Sequence, residues 1–234
     1  MLVEIIRKRL FSSKNLKNKI VLSFEKKGNA EIAAAQKAYL KNHFDFFGIK
    51  SPERKILQKE LINNIFIKDK NTAFELAKTL WLLPHRELHY FAQELVFKYH
   101  KKFEEKDIKF LEWMAVNQSW WDTIDFIAPK LLSSYFKQYP EKRDTYVFKW
   151  MEGENFWLQR CAILFQLKYK KELDYHLLSK VIVHLAESKE FFIQKAIGWI
   201  LREIAKTNPS WVKNFVNQTT LKPLSKREAM KYIK

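Results

Sequence analysis

Apolar residues recur at helical spacing along nearly the whole chain, and short polar stretches cut the pattern into segments. This predicts a helix over 30–46 with Gly48 as its C-cap, and Ser51-Pro52-Glu53 opening the next helix with N-cap and N1 signals. Helical patterning continues over 54–66 and 72–82, and Pro84 restarts it. The remaining helices pair as 85–100 with 106–116, 119–138 (Pro129 inside) with 143–152, 155–169 with 174–187, and 190–206 with 209–217. Connectors are predicted at 68–71, 101–105, 140–142, 170–172 and 207–208. Residues 1–22 read as one or two basic amphipathic helices, with 14–19 polar enough to be a loop. Strand patterning is absent, since Val181-Ile182-Val183 lies inside a helical stretch.

One segment recurs. Ser119-Trp120-Trp121-Asp122-Thr123-Ile124-Asp125 reappears 36 residues on as Asn155-Phe156-Trp157-Leu158-Gln159-Arg160. A further 35 residues on it returns as Glu190-Phe191-Phe192-Ile193-Gln194-Lys195, and a weaker copy starts at Glu87, 32 residues before Ser119. Self-similarity at this period marks helical-pair repeats that bury their apolar faces against one another. The expectation is an all-α chain, a short α-solenoid, with residues 1–234 forming a single domain.

Composition narrows the partners. A formal net charge of +17 concentrates polyanions, so nucleic acid leads, an anionic membrane surface follows, and a generic solubilising surface is the bland alternative. Eight Trp exceed what a solenoid core needs, and some are available to stack on sugars or bases. The single cysteine, Cys161, excludes an internal disulfide and sits on an apolar helix face, as a buried structural Cys does. The first twelve residues make a poor signal peptide and no run approaches 18 apolar residues, so a cytoplasmic protein without a membrane span is expected.

Aligning the three strong copies sets Trp121, Trp157 and Phe192 at one position, Ile124 with Arg160 and Lys195, Asp125 with Cys161, and Ala128 with Trp199. Offsets of 3, 4 and 7 share a helix face, so Trp121, Asp125, Arg160 and Trp199 fall on one stripe of successive helices. Either this stripe lines a groove with an acid, bases and aromatics converging, or Asp125 is a buried acid paired with Arg160 and the two Trp are core. No Gly-rich phosphate loop is present, and no Ser-His-Asp triad can be argued. His85 and His89 lack a zincin context and read as surface or cap residues, while Ser119 with Asp122 reads as an N-terminal capping box.

Those residues carry a resemblance. YLKNHF at 39–44, FGIKSPER at 47–54, LW at 80–81 through Pro84, SWWDTID at 119–125 and WLQR at 157–160 resemble the DNA alkylation repair family of HEAT-like-repeat DNA glycosylases, the AlkD type. ILFQLKY at 163–169, KEFFIQKAIGW at 189–199, LRE at 201–203 and LSKRE at 224–228 extend the likeness from about Ala35 to the C-terminus; residues 1–22 are only loosely similar. The resemblance implies a right-handed α-solenoid of HEAT-like helical repeats with a concave basic groove. It implies a monofunctional alkylpurine DNA glycosylase, needing no cofactor or metal, that hydrolyses the N-glycosidic bond of cationic N7-methylguanine- and N3-methyladenine-type purines in double-stranded DNA. Asp125 matches the catalytic carboxylate, which stabilises the oxocarbenium-like sugar and positions water; Trp121 and Trp199 match aromatics along the lesion's deoxyribose and backbone. Arg160, Tyr39 and Lys168 match groove residues near the DNA. The base is expected not to flip into a protein pocket, and the protein to act as a monomer. A non-catalytic nucleic-acid-binding solenoid and a protein-interaction scaffold are the competing classes; a lone acid among Trp and Arg argues against both.

Overall fold

Side-chain caps punctuate the helices. The computed structural model describes residues 15–233 and divides the chain into two compact units, one ending at Lys102 and one beginning at Phe103. In the first, helix α1 spans 15–25 and buries Ile20 and Phe24, one turn apart. The polar run expected as a loop at 14–19 is therefore helical from 15 onward; the rest of the N-terminal expectation lies outside the described residues. Next come α2 (Ala30–Tyr39), whose cap Asn29 accepts from the Ile32 amide at 3.0 Å, and α3 (Ser51–Asn64), opened by Pro52. Then follow α4 (Lys70–Trp81), capped by Asp69, and α5 (Arg86–Lys98), which packs on α3 and α4.

The helix expected over 30–46 stops at Tyr39. Lys41 and Asn42 turn the chain with φ of 57° and 61°, and the segment up to Ile49 runs out to pair Asp45 with His85 in an isolated bridge. The cause lies some forty residues away in sequence. The buried carboxylate of Glu87 accepts the amides of Phe47 (3.1 Å), Gly48 (3.0 Å) and Ile49 (3.3 Å), so these groups gain a charged partner in place of helical carbonyls. Gly48 is thus not a C-cap but a member of this loop, with φ of 89°. His89 is not at the surface either: it is buried, with Nδ1 3.0 Å from Arg86 Nη1 and Nε2 2.8 Å from the Leu83 carbonyl, while His85 stacks on Phe47.

The second unit contains α6 (Ile108–Val116), α7 (Trp121–Phe126), α8 (Ser133–Gln138), α9 (Pro140–Glu152), α10 (Phe156–Leu164), α11 (Tyr175–Leu185), α12 (Phe191–Ala205), α13 (Pro209–Gln218) and α14 (Pro223–Ala229). The helix expected over 119–138 is interrupted by a π-helical stretch, Ile127–Leu132. Pro129 lies within it; proline offers no N–H and its ring crowds the preceding turn, so the helix widens there. Tyr139 (φ −126°, ψ 64°) breaks the chain again, and Pro140 starts α9, so 140–142 is a helix start and not a connector. Ser119 is not a cap: its hydroxyl donates back to the Ala115 carbonyl at 2.7 Å, and Trp120 takes the N-cap position.

The packing is that of an α-solenoid, all-α among the described residues. Helix α10 packs on α6, α7 and α12, α12 on α14, and α9 on α11. Side-chain bonds echo the repeat. Lys137–Glu172, Arg160–Asp125, Lys168–Glu203 and Lys222–Glu187 each join residues 35 apart, and the Tyr169 hydroxyl reaches the Ser133 carbonyl across 36.

A Cβ on Gly48 would lie 1.9 Å from the Asn29 carbonyl oxygen in a left-handed backbone, whereas one on Gly153 would meet nothing nearer than 3.2 Å. Gly48→Ala is expected to cost about 1–3 kcal/mol and Gly153→Ala distinctly less, read as the difference in urea midpoint between the two variants.

Candidate functional site in the second unit

Helices α7, α10 and α12 present the segments that recur in sequence. Asp125 lies one turn beyond Trp121 on α7, and Arg160 sits in the second turn of α10. The guanidinium closes on Asp125 through two bonds to a single oxygen: Nε to Oδ1 at 3.0 Å and Nη2 to Oδ1 at 2.7 Å. Its Nη1 donates to the carbonyl of Phe192 in the first turn of α12. Arg160 is buried, with its side chain 5 % exposed, while that of Asp125 is 20 % exposed. Among the described residues Oδ2 of Asp125 accepts no hydrogen bond, and it is not sealed from solvent.

Burial pushes the Asp125 carboxyl above the usual carboxylate range, and the Arg160 charge and hydrogen bonds act against it without cancelling it. The groove and the ion pair weighed from the sequence are therefore not exclusive. Asp125 is paired on one oxygen and open on the other.

The aromatics divide by one residue. Trp120, not Trp121, joins the cluster with Trp157 (centroids 5.7 Å) and Phe192 (5.2 Å), and Trp157 lies tilted against Phe192 (5.1 Å). Trp121 and Trp199 are half-buried. Trp199 has no hydrogen bond or ring partner among the described residues and shares a face of α12 with Phe192, two turns earlier. Behind it Gly198 lets α14 approach: a Cβ there would lie 2.4 Å from Glu228 Cβ.

Lys168 is exposed and reaches Glu203 at 3.4 Å. Tyr39 belongs to the other unit, where it ends α2 with 70 % of its surface exposed. Cys161 is buried and its thiol is pushed up by desolvation, which fits a structural role. Two features were not legible from the residues alone. One is the Phe192 carbonyl that anchors Arg160; the other is Glu228, which gathers Lys195 (3.0 Å) and Arg202. The repeat spacing was the available signal, since Lys195 lies 33 residues from Glu228. Among the described residues no cluster of His, Cys, Asp and Glu is placed to hold a metal ion, and no helix is long and apolar enough to cross a membrane.

An all-α stack carries a largely buried carboxylate, a buried arginine and two half-buried tryptophans. The chain belongs to the DNA alkylation repair enzyme family, whose sequence model matches residues 20–233. It is similar to the solved structure of a predicted DNA alkylation repair enzyme from Enterococcus faecalis, at 33 % identity and a TM-score of 0.80 over 88 % of this chain and 97 % of that one. It also resembles in fold smu.31 from Streptococcus mutans UA159, at 18 % identity and a TM-score of 0.60 over 77 % and 92 % of the two chains. No curated protein matches it.

Because the native carboxyl of Asp125 titrates above its unfolded value, its contribution to stability is full below that value and is lost as pH rises through the native one. Removing Arg160 takes away the positive charge that opposes burial and raises the carboxyl further. Arg160→Met is therefore expected to destabilise by up to about 3 kcal/mol, the low end for breaking a buried pair because Asp125 is partly exposed. The loss should be larger at pH 7.5 than at pH 5, checked by urea midpoints at both pH values, and adding Asp125→Asn should recover part of it.

Proposed function

We propose that the protein is a monofunctional DNA glycosylase that hydrolyses the N-glycosidic bond of cationic alkylated purines in duplex DNA. Membership of the family supports a role in DNA alkylation repair. The observation that carries the finer reading is the one-sided pairing of Asp125, with Oδ1 held by Arg160 and Oδ2 open.

A purine alkylated at N7 or N3 is positively charged and leaves as a neutral base, so little general-acid help is needed. As the C1′–N bond breaks, its electron pair neutralises the purine and the sugar becomes oxocarbenium-like. A carboxylate beside C1′ stabilises that charge, and the open oxygen accepts a proton from the water that attacks C1′. The products are the free base and an abasic sugar. Arg160 supports this by keeping the partly desolvated acid ionised and fixing its orientation. The faces of Trp121 and Trp199 add cation–π attraction to the sugar cation, on the order of 0.5–2 kcal/mol each. Tyr39 and Lys168, both exposed, contribute to holding the DNA. Arg160 is buried with its donors given to Asp125 and Phe192, and acts through Asp125 instead of touching the backbone. The base stays outside any protein pocket, with the sugar and backbone gripped instead.

The test is release of N7-methylguanine from a methylated duplex, beside binding of the same duplex. Asp125→Asn keeps the shape and the Arg160 contact but removes the charge, and is expected to lower the release rate roughly a hundred- to a thousandfold with near-equal binding. No release by the wild-type chain despite salt-sensitive binding would make this a non-catalytic DNA-binding member. Release should also fall on the acid side, at a pH above the ordinary aspartate value of about 3.9, because Asp125 must be ionised and its carboxyl is raised. A pH–rate profile whose acid limb sits at or below that value would exclude Asp125 as the essential base.

A further inference from the structure

Beyond the α10 and α12 segments that carry Arg160 and Trp199 lies a cavity of about 250 Å³. At about 30 Å³ per water this is no packing flaw. It also falls below the roughly 300–1,000 Å³ of sites that enclose a whole small molecule, so its size suits part of a larger ligand. Its lining is two-faced. Leu167, Leu173, Ile200 and Ile204 supply apolar wall and are buried or half-buried. Lys168, Lys170 and Lys206 also line it, all three exposed, so cations ring its mouth.

The lysines are held there by two devices. Glu203, itself part of the lining, accepts from Lys206 Nζ at 2.6 Å and from Lys168 Nζ at 3.4 Å, one on each carboxylate oxygen. Lys170 adopts φ of 53°, a left-handed conformation that a lysine takes at a cost of roughly 1–2 kcal/mol. Strain of this kind concentrates at binding sites. Three lysines and one carboxylate share the lining, which leaves an excess of two positive charges beside an apolar wall. Glu203 lies one helical turn beyond Trp199, about 6 Å further along α12.

We infer that this cavity is a subsite for one nucleotide of the DNA strand flanking the lesion, its phosphodiester held by Lys170 and Lys206 together with Lys168, and its sugar against the apolar wall. This rests on the proposal that the protein acts on DNA. The ligand chemistry is a phosphate carried on an apolar body; a polymer is favoured over a free nucleotide by the cavity's size and its position one turn from Trp199. Glu203 acts as a positioning residue that splays Lys168 and Lys206 apart, so that an arriving phosphate displaces the carboxylate from one ammonium without leaving either charge bare.

The experiment uses the full chain and an unmethylated duplex, with affinity measured by fluorescence anisotropy across a salt series. Lys170→Ala/Lys206→Ala is compared with Lys171→Ala/Lys213→Ala, which removes two exposed lysines outside the cavity lining. Thr207→Trp, at an exposed lining position, plugs the cavity without changing charge. The subsite predicts that the cavity pair and the plug each lower the slope of log K against log salt by roughly one phosphate's worth, with the control pair smaller. Equal slopes for wild type, cavity pair and plug would overturn it. So would an equal loss in the control pair, which would mean a diffuse field. Inorganic phosphate and a mononucleotide are titrated separately: submillimolar binding of either that fails to compete with duplex would overturn the strand assignment. Wild-type release of methylated base is read in parallel. Release with unaltered slopes sinks the subsite alone; altered slopes without release sink the glycosylase reading alone; absence of any duplex binding sinks both.

Discussion

The buried guanidinium of Arg160 is the contact on which the candidate site depends. Taking such a charge out of water costs several kcal/mol unless its donors are met. Here Nε and Nη2 go to Asp125 on α7, and Nη1 goes to the Phe192 carbonyl on α12. A carbonyl has two lone pairs, so Phe192 can serve both its own helix and the arginine. One side chain thereby joins three neighbouring helices and orients the acid. Any shift of α7 against α12 strips partners from a desolvated cation, so the geometry of Asp125 is secured by the same term that stabilises the stack.

The pitch of the repeat explains why such a pair arises at this position. With successive layers about 35 residues apart, a basic residue in one layer meets an acidic residue in the next. Lys137–Glu172, Lys168–Glu203 and Lys222–Glu187 share that separation with Arg160–Asp125. The first three have at least one partner whose side chain is 60 % or more exposed, and pairs of that kind contribute little, at most about 1 kcal/mol. The Arg160–Asp125 rung alone of these four is drawn inward, and it is the one flanked by the Trp120, Trp157 and Phe192 cluster. The site is thus a structural rung moved into a low-dielectric setting, where the same charges act more strongly.

What the sequence made legible follows the range of the interactions concerned. Helical periodicity, the 35-residue recurrence and the candidacy of Asp125 and Arg160 are written in local spacing, which survives in one dimension. The end of α2 at Tyr39 was not legible because Glu87, which takes up the amides of residues 47–49, lies some forty residues downstream. Ser119 matched a capping pattern, yet its hydroxyl turned back to Ala115, a choice that spacing cannot separate from capping. Trp120 and Trp121 differ by one residue, about 100° around a helix, finer than an alignment of degenerate copies resolves. His89 looked like a surface residue because nothing nearby announces that Arg86 is itself buried over the Phe44 ring, 3.8 Å from its centroid.

Asp125 sits between two opposing requirements. A carboxylate fully enclosed with its arginine would be well oriented but inert, since both oxygens would be committed and no solvent or substrate atom could approach. One fully in water would be available but screened, and would respond little to charge developing on a sugar. Burial raises the carboxyl toward the neutral acid, and Arg160 pulls it back toward the carboxylate. Because both of the arginine's bonds fall on Oδ1, the counter-charge is supplied from one side and Oδ2 stays available on the other. In the proposed reaction, the asymmetry of that contact, more than the presence of an acid, is what would let the position meet a transient positive charge.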